Sequence, residues 1–461
     1  MTLSLRLVRP WRTLRRQSLP ATVRETAKLH LLDAIGVGLA SAGSSVGAPY
    51  LAYADGLGGG GRASVFGRGA AASAADAAMI NGGLIHSLEY DDTHTGSIVH
   101  GSAVLAAAAL AAAQTAECSG ADMLGAYVFG WEALVRIGLA APGRFQAGGF
   151  QITSVGGALA AAMIGADLFG LDETQSVAAI GIALSQASGV FEFLSNGSSV
   201  KSLHPGWAAH GGLIAAQLAR AGMTGPLTAF EGRFGLFATF AGDQAAAGRL
   251  ADLFGDLGQI WHLEDAATKF QPCCHYIHPF VEAAEMLGAR GVTPERVERL
   301  LCRVPQGAAG IICEPWAQKQ TPPTPHAARW SLPVVVAEQL VKGVVGLDSF
   351  ETPLAAPVLE LAQRIAWEPL PDACFPQRFE AEILCELTDG SSVAVRVDDV
   401  YGNRSRPAGE ADIRRKFRAN AGRVLPPDAV ARLEDALSGL DGAKSLRAVG
   451  AALKPGNQGK A

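Results

Sequence analysis

The sequence predicts a mainly α protein, with a large all-helical domain plus a smaller α+β domain, on three observations. Ala- and Gly-rich segments with helical spacing of apolar residues run from about Leu19 to Phe254. A period-two pattern with a turn signal follows at 378–400. The chain, 461 residues with 49% hydrophobic content, is long enough to bury two separate cores.

The elements follow in chain order. Arg6, Arg9, Arg12, Arg15 and Arg16 all precede the first acidic residue, Glu25. That composition suits a transit peptide, but "LPATVRETAKLHLLDAIGVGLA" continues directly as an amphipathic core helix, so a basic first helix is expected. Helices are then expected at 22–42, 73–87, 102–117, 120–139, 154–169, 173–189 and 206–221, separated by Gly/Ser breaks. The apolar runs 103–113 and 155–166 are too short to span a bilayer and read as buried helices. After about Lys269, "VERLLCRV" (297–304) has strand character. In 378–400, Phe379, Ala381, Ile383, Cys385 and Leu387 alternate with mainly polar neighbours, Asp389-Gly390 marks a turn, and Val393, Val395 and Val397 resume the period. "QTPPTPHAARWSLP" (320–333) is a loop leading into a helix, and 409–422 restores helix period and rejoins the first domain. The domains are therefore placed at 1–265 together with about 403–461, and at 266–402; the tail "KPGNQGKA" is expected to be disordered.

Composition narrows the function classes. With 38 basic and 43 acidic residues the formal charge is −5, and no basic stripe interleaved with aromatics could track phosphates, so no nucleic-acid partner is expected. No membrane partner is expected either. Seven cysteines without a CxxC pair read as reduced thiols, which points to a cytoplasmic protein.

Against this weakly charged background, "HSLEYDDTHTGSIVHGS" (86–102) gathers Glu89, Asp91 and Asp92 among His86, His94 and His100. Three polar clusters each precede a helix: His100 and Ser102; Lys201 and His204, followed by Pro205; and Lys269, His275 and His278, followed by Pro279. A helix start exposes unpaired N–H groups and partial positive charge, so Lys and His there make an anion cradle. Several cradles suit a small polycarboxylate. Taken singly, each cluster has a plainer explanation: Asp91 and Asp92 as helix caps or partners of arginines, His86 as a satisfied helix residue, Lys201 as a solvated loop lysine. Their joint occurrence favours a site. Asp91, Asp92, His94 and His100 are acceptable zinc or iron ligand types, but no i, i+4 His pair and no HExxH occurs, and no metal or other cofactor is expected. Cys273 and Cys274 are adjacent and the other cysteines form no cluster-binding run. Nucleophile-elbow, phosphate-loop and dinucleotide motifs are missing from any strand–turn–helix context.

The segments "HSLEYDDTHTGSIVHGS", "GSSVKSLHPGWAAHGGLIAAQLARAGMTGP" and "KFQPCCHYIHP", with "ARWSLPVVVAEQLVKG" and "DIRRKF", resemble those of the MmgE/PrpD family, which includes 2-methylcitrate dehydratase, cis-aconitate decarboxylase and iminodisuccinate epimerase. The resemblance implies a helical domain, a smaller α+β lid domain, an active-site cleft, a homodimer and no metal requirement. By motif match it places Asp91, Asp92, Thr93, His100, Lys201, His204, Lys269 and His278 in the site. Glu89 stands where relatives often carry Asp, Gln151 where they often carry His, and Val334 where many carry Tyr. Gln and Val cannot shuttle protons.

The expected chemistry is proton transfer at carbon next to a carboxylate. Lys201 and Lys269 would stabilise the developing charge, and His100, with His278 second, would carry the proton. Asp91 and Asp92 would orient the imidazole or lysine, and Thr93, Glu89, Gln151, His204 and His275 would bind substrate. The expected activity is that of a cofactor-independent lyase of the 2-methylcitrate dehydratase type. Decarboxylation of cis-aconitate and epimerisation of an iminodisuccinate-like dicarboxylate are alternatives, as is a carboxylate-binding relative without turnover.

Overall fold

The computed structural model describes residues 1–15, 17–195 and 197–454. It forms two compact units: Met1–Ser87, Asp91–Thr268 and Gly409–Ala461 make the first, and Leu88–Tyr90 with Lys269–Ala408 the second. Against the placement read along the chain, the second unit starts and ends a few residues later and gains the tripeptide Leu88–Tyr90. Residues 455–461, most of the tail expected to be disordered, lie outside the described residues.

The first unit is built of helices, as expected. Ala21–Ala42, Ala74–His86, Gly101–Thr115, Gly120–Ala140, Ile152–Leu168, Glu173–Gln186 and Leu203–Arg220 fall close to the anticipated spans. The basic start, Leu3–Leu14, is a helix whose Leu3, Leu7, Val8 and Trp11 are buried, leaving the arginines on its outer faces. Ala21–Ala42 is amphipathic, as expected, only over its first turns, where Ala21, Thr22 and Glu25 are exposed and Val23 and Ala27 buried. Every residue from His30 to Ser41 is buried, so that part of the helix runs inside the core with no solvent stripe. Gly120–Ala140 is long and apolar enough to cross a membrane, but 89% of its most apolar window is buried, as befits a core helix. Glu410–Ala421 packs against Ala21–Ala42, which accounts for its return to the first unit. A two-residue pairing of β1 (Ala63–Ser64) with β2 (Ala71–Ala72) is the small sheet described here.

Close packing by small residues positions the site. Leu203–Arg220 crosses both Ile152–Leu168 and Ala74–His86. At Gly206 a Cβ would stand 2.2 Å from the Met79 carbonyl oxygen and 2.9 Å from the Gly83 nitrogen, so only glycine permits this approach. Two residues before Gly206 is His204, and three residues after Gly83 is His86. The helix contact therefore sets the spacing of two imidazoles.

The second unit holds a four-stranded sheet in the order β4-β3-β5-β6, formed by β3 (Val297–Val304), β4 (Ile365–Pro369), β5 (Ala381–Leu387) and β6 (Ser392–Val397). β3 pairs parallel with β4 and antiparallel with β5, while β5 and β6 form the anticipated hairpin, whose turn has Gly390 at φ 82°. Helix His278–Ala289 packs on β5 and β6 and against Leu332–Lys342. Burying Leu300, Cys302, Ile383 and Cys385 against Phe280 and Leu287 gives this unit its own apolar core. All seven cysteines are free thiols.

Candidate active site

The segment after Asp91 is folded back on itself by its own backbone. Thr93 N–H donates to the Ala267 carbonyl at 3.0 Å, and Ala267 N–H donates to the Thr93 carbonyl at 2.8 Å. His94 and Val99 exchange a second pair, at 2.8 and 3.2 Å, around a turn with Ile98 in the left-handed region at φ 57°. This closure returns the chain, so that His100, the residue before helix Gly101–Thr115, stands beside Thr93 and Asp91. The His100 N–H donates to Thr153 Oγ1 at 3.0 Å, which ties the turn to the start of Ile152–Leu168.

Asp91 is the centre of an acid–base group. Its Oδ2 lies 2.9 Å from His86 Nδ1 and 3.3 Å from His100 Nδ1. The two rings meet edge to face with centroids 4.7 Å apart. Thr93 Oγ1 is 3.5 Å from His100 Nδ1. Behind His86, Gln151 Nε2 stands 3.5 Å from His86 Nε2, and Gln151 Oε1 is 2.5 Å from His204 Nδ1. Burial alone would push the Asp91 carboxyl up, but the charges and hydrogen bonds of His86 and His100 hold it well below the usual carboxylate range. His204 goes the other way: burial, then the charges of His86 and Lys201, lower it to about 4, so it is neutral at neutral pH.

Asp92 faces different partners. Its Oδ2 lies 2.8 Å from His30 Nδ1, its Oδ1 accepts the Ser102 backbone N–H at 3.1 Å, and it also accepts from the Ser102 hydroxyl. It therefore caps helix Gly101–Thr115 from outside the helix. Ser102 Oγ passes the network on to Tyr127 OH at 2.5 Å, and burial together with the Asp92 charge pushes that phenol well above its usual range. Asp33, on the same helix as His30, is paired with Lys416 at 2.8 Å.

Two groups in the first unit have ligand types that suit a cation: His86, Asp91 and His100, and separately His94, His262 and Asp265, each set with its atoms within 4.8 Å. The first set combines His86, rather than His94, with His100. The His86 separation of 2.9 Å is that of a charge-assisted hydrogen bond, and His100 makes a longer ion pair at 3.3 Å to the same carboxylate oxygen. In the second set His94 Nδ1 already accepts the Ser97 N–H at 3.2 Å. We read both as hydrogen-bonded groups.

Lys201 sits in the turn Ser199–Ser202, directly before helix Leu203–Arg220, which has His204 and Pro205 in its first turn. In the second unit, Lys269 is fully buried and its Nζ donates to the Glu89 carbonyl at 3.2 Å. Arg329, also fully buried, donates through Nη1 to the carbonyls of Leu88 and Pro272 at 2.9 and 2.8 Å, and Tyr90 OH donates to the Phe270 carbonyl at 3.1 Å. Two buried cations and a phenol thus hold the tripeptide Leu88–Tyr90, with Glu89 at φ 53°. His278 Nε2 lies 3.3 Å from the Cys273 carbonyl, and the His275 ring packs between His278 and Phe379 at 4.9 and 4.8 Å. Val334 is fully buried in the first turn of Leu332–Lys342.

The structure thus groups Asp91, Thr93, His100, Gln151 and His204 in the first unit, with Lys201 close to His204. It groups Glu89 with Lys269, and His275 with His278, in the second. Two residues escaped the sequence reading. His86 reads in the sequence as a satisfied helix residue, although its place five residues before Asp91 at a helix end is a signal. Arg329 was legible as a lone charge within the apolar run "AARWSLPVVVA".

Comparison with known proteins gives matches along most of the chain. Residues 6–248 match the model of the MmgE/PrpD N-terminal domain and residues 271–441 that of the MmgE/PrpD C-terminal domain. A cis-aconitate decarboxylase of Mus musculus is 29% identical over 432 residues, covering 88% of this chain and 84% of the relative. A cis-aconitate decarboxylase of Aspergillus terreus is 29% identical over 450 residues, covering 92% and 90%. A cis-aconitate decarboxylase-like protein of Aspergillus oryzae is 28% identical over 456 residues, covering 93% and 92%. The expected enzyme class, a lyase, agrees with these relatives, which are carboxy-lyases by name.

Proposed function

Because the chain belongs to the MmgE/PrpD family, we propose that it is a carboxy-lyase that removes carbon dioxide from a cis-aconitate-like tricarboxylate. The observation that carries this reading is the convergence of His86 and His100 on the single oxygen Asp91 Oδ2. It is an acid–base group of the kind that proton transfer at carbon requires. The names of the relatives favour decarboxylation over the 2-methylcitrate dehydration first expected.

In the proposed reaction a proton is delivered to one alkene carbon of the unsaturated acid. The electron pair of the old double bond takes that proton, the pair of the breaking C–CO2 bond forms the shifted double bond, and CO2 leaves. Water returns the proton to the donor. His100 is the proposed donor, since its Nδ1 lies 3.3 Å from Asp91 Oδ2 and its ring meets that of His86 edge to face. Lys201, beside the start of helix Leu203–Arg220, is the proposed cation for a substrate carboxylate, with the helix N–H groups adding to it. Charge that develops on a carboxylate in the transition state is stabilised most by groups already fixed in place.

The test is a proton NMR time course in deuterated water, after treatment with a chelator, with cis-aconitate, 2-methylcitrate, citrate and iminodisuccinate offered separately. Loss of cis-aconitate with deuterium in a decarboxylated product is the expected result. Dehydration of 2-methylcitrate alone would replace the reading with a hydro-lyase. Ligand-protected unfolding without turnover on any of the four would replace it with a binding protein.

A further inference from the structure

Gln151 occupies a position from which no proton can be shuttled, yet both ends of its amide are in use. Its backbone is fixed, with its N–H on the Gly189 carbonyl at 2.9 Å and its own carbonyl accepting from Ser154 and Val155 at 2.9 and 3.0 Å. The residue is buried, at 4% exposure. Its amide lies between two imidazoles, one that ends helix Ala74–His86 and one in the first turn of Leu203–Arg220.

The direction of each hydrogen bond follows from the Asp91 end. An ionised carboxylate only accepts, so His86 Nδ1, 2.9 Å away, is the protonated nitrogen. When His86 carries a single proton, on Nδ1, its Nε2 holds a lone pair. The group facing that lone pair must be a donor, which is the amide NH2 of Gln151, and its oxygen is therefore turned to His204 Nδ1. An oxygen accepts, so His204 Nδ1 carries hydrogen. The reverse orientation of the amide would need a second proton on His86. With His86 singly protonated, every bond in the row His204, Gln151, His86, Asp91 therefore donates toward the carboxylate.

We propose that Gln151 is a positioning residue that fixes His204 in the Nδ1–H tautomer, leaving Nε2 as a lone-pair nitrogen able to accept a proton. Burial comes first in disfavouring a charged His204 ring, and the charges of His86, when that ring is protonated, and of Lys201 from the preceding turn add to it. Around it, Ser154 Oγ donates to the His204 carbonyl at 3.1 Å and the Phe193 ring lies 5.8 Å from the imidazole; neither titrates. His204 is thus held neutral, with one nitrogen committed to Gln151 and the other left as an acceptor. An acceptor of this kind complements the donor role given to His100, and only that catalytic consequence rests on the proposed function.

The experiment is 15N-histidine labelling of the full chain with long-range proton–nitrogen correlation, which separates Nδ1–H, Nε2–H and doubly protonated rings. His204→Gln identifies the relevant signal among the ten histidines. The expected result at pH 7 is a neutral Nδ1–H tautomer for His204 in the unmodified protein, whether or not any substrate is turned over. Finding Nε2–H there overturns the proposal without recourse to a variant. Gln151→Leu is expected to release the tautomer toward Nε2–H and to lower turnover at least tenfold. Gln151→Glu keeps an acceptor for Nδ1–H and adds charge, so it should keep the tautomer and move the acid limb of the pH profile up by a unit or more. A folded Gln151→Leu protein whose His204 remains Nδ1–H would show that Gln151 does not set it.

Discussion

Asp91 and Asp92 are adjacent in sequence, equally buried and both bonded to histidine, yet they belong to different parts of the molecule's chemistry. Asp91 takes two imidazoles on one oxygen, and its other oxygen, Oδ1, is buried without a hydrogen-bond partner among the described residues. Asp92 uses both oxygens, on His30, the Ser102 N–H and the Ser102 hydroxyl, and so closes a network that runs to Tyr127. One carboxylate retains capacity for a reacting group. The other is spent on holding a helix start. Residue type and position do not separate the two roles; the partners do.

Substitution should split the pair along the same line. Asp91→Asn removes the anion that holds both imidazoles, and turnover should fall by about 10²–10⁴-fold, the range for loss of a positioned acid–base group, as measured by kcat on folded protein. Asp92→Ala strands the Ser102 N–H and the His30 ring in the core, so its first effect should be on stability, with about 3 kcal/mol or more lost in a denaturant titration. Equal losses of stability in the two variants would erase the distinction. Gly206→Ala addresses the spacing instead: a methyl at 2.2 Å from the Met79 carbonyl has to push two helices apart, at about 1–3 kcal/mol. Turnover should fall with it, since His86 and His204 ride on those helices.

How much of this was legible follows from the kind of signal involved. The helices were readable because Ala-rich periodicity and Gly/Ser breaks are local, and the β5–β6 hairpin because Asp389-Gly390 sits between two alternating runs. The burial of His30 to Ser41 on every face was not, since it depends on what Glu410–Ala421 and the other helices place around it. Nor was the membership of Leu88–Tyr90 in the second unit, which rests on Lys269 and Arg329, about 180 and 240 residues away along the chain. In the site, the motif match brought out Asp91, His100 and His204, while their order in a hydrogen-bonded row needed the contact at Gly206. In sequence Gln151 reads as a substrate-binding residue and as a departure that loses a proton carrier. The fold gives it a positive task that composition could not reveal.

The smallest effect tests the row from the side of acid. His204 has its ordinary value of 6.5 in the unfolded chain and about 4 in the fold, where burial and the charges of His86 and Lys201 lower it. Between those values the unfolded chain binds a proton that the folded one refuses, so stability rises with pH there and is lost as pH falls from about 6.5 toward 4. Asp91 acts in the same sense but later, because its carboxyl is held below the usual range and protonates only in stronger acid. The melting temperature should therefore decline first through the histidine window. His204→Gln, which keeps a polar side chain but does not titrate, should flatten that decline while leaving the later one in place. Parallel curves for the two proteins would mean that the burial of His204 carries none of the acid sensitivity, and that the row from His204 to Asp91 is not electrostatically set in the way its geometry requires.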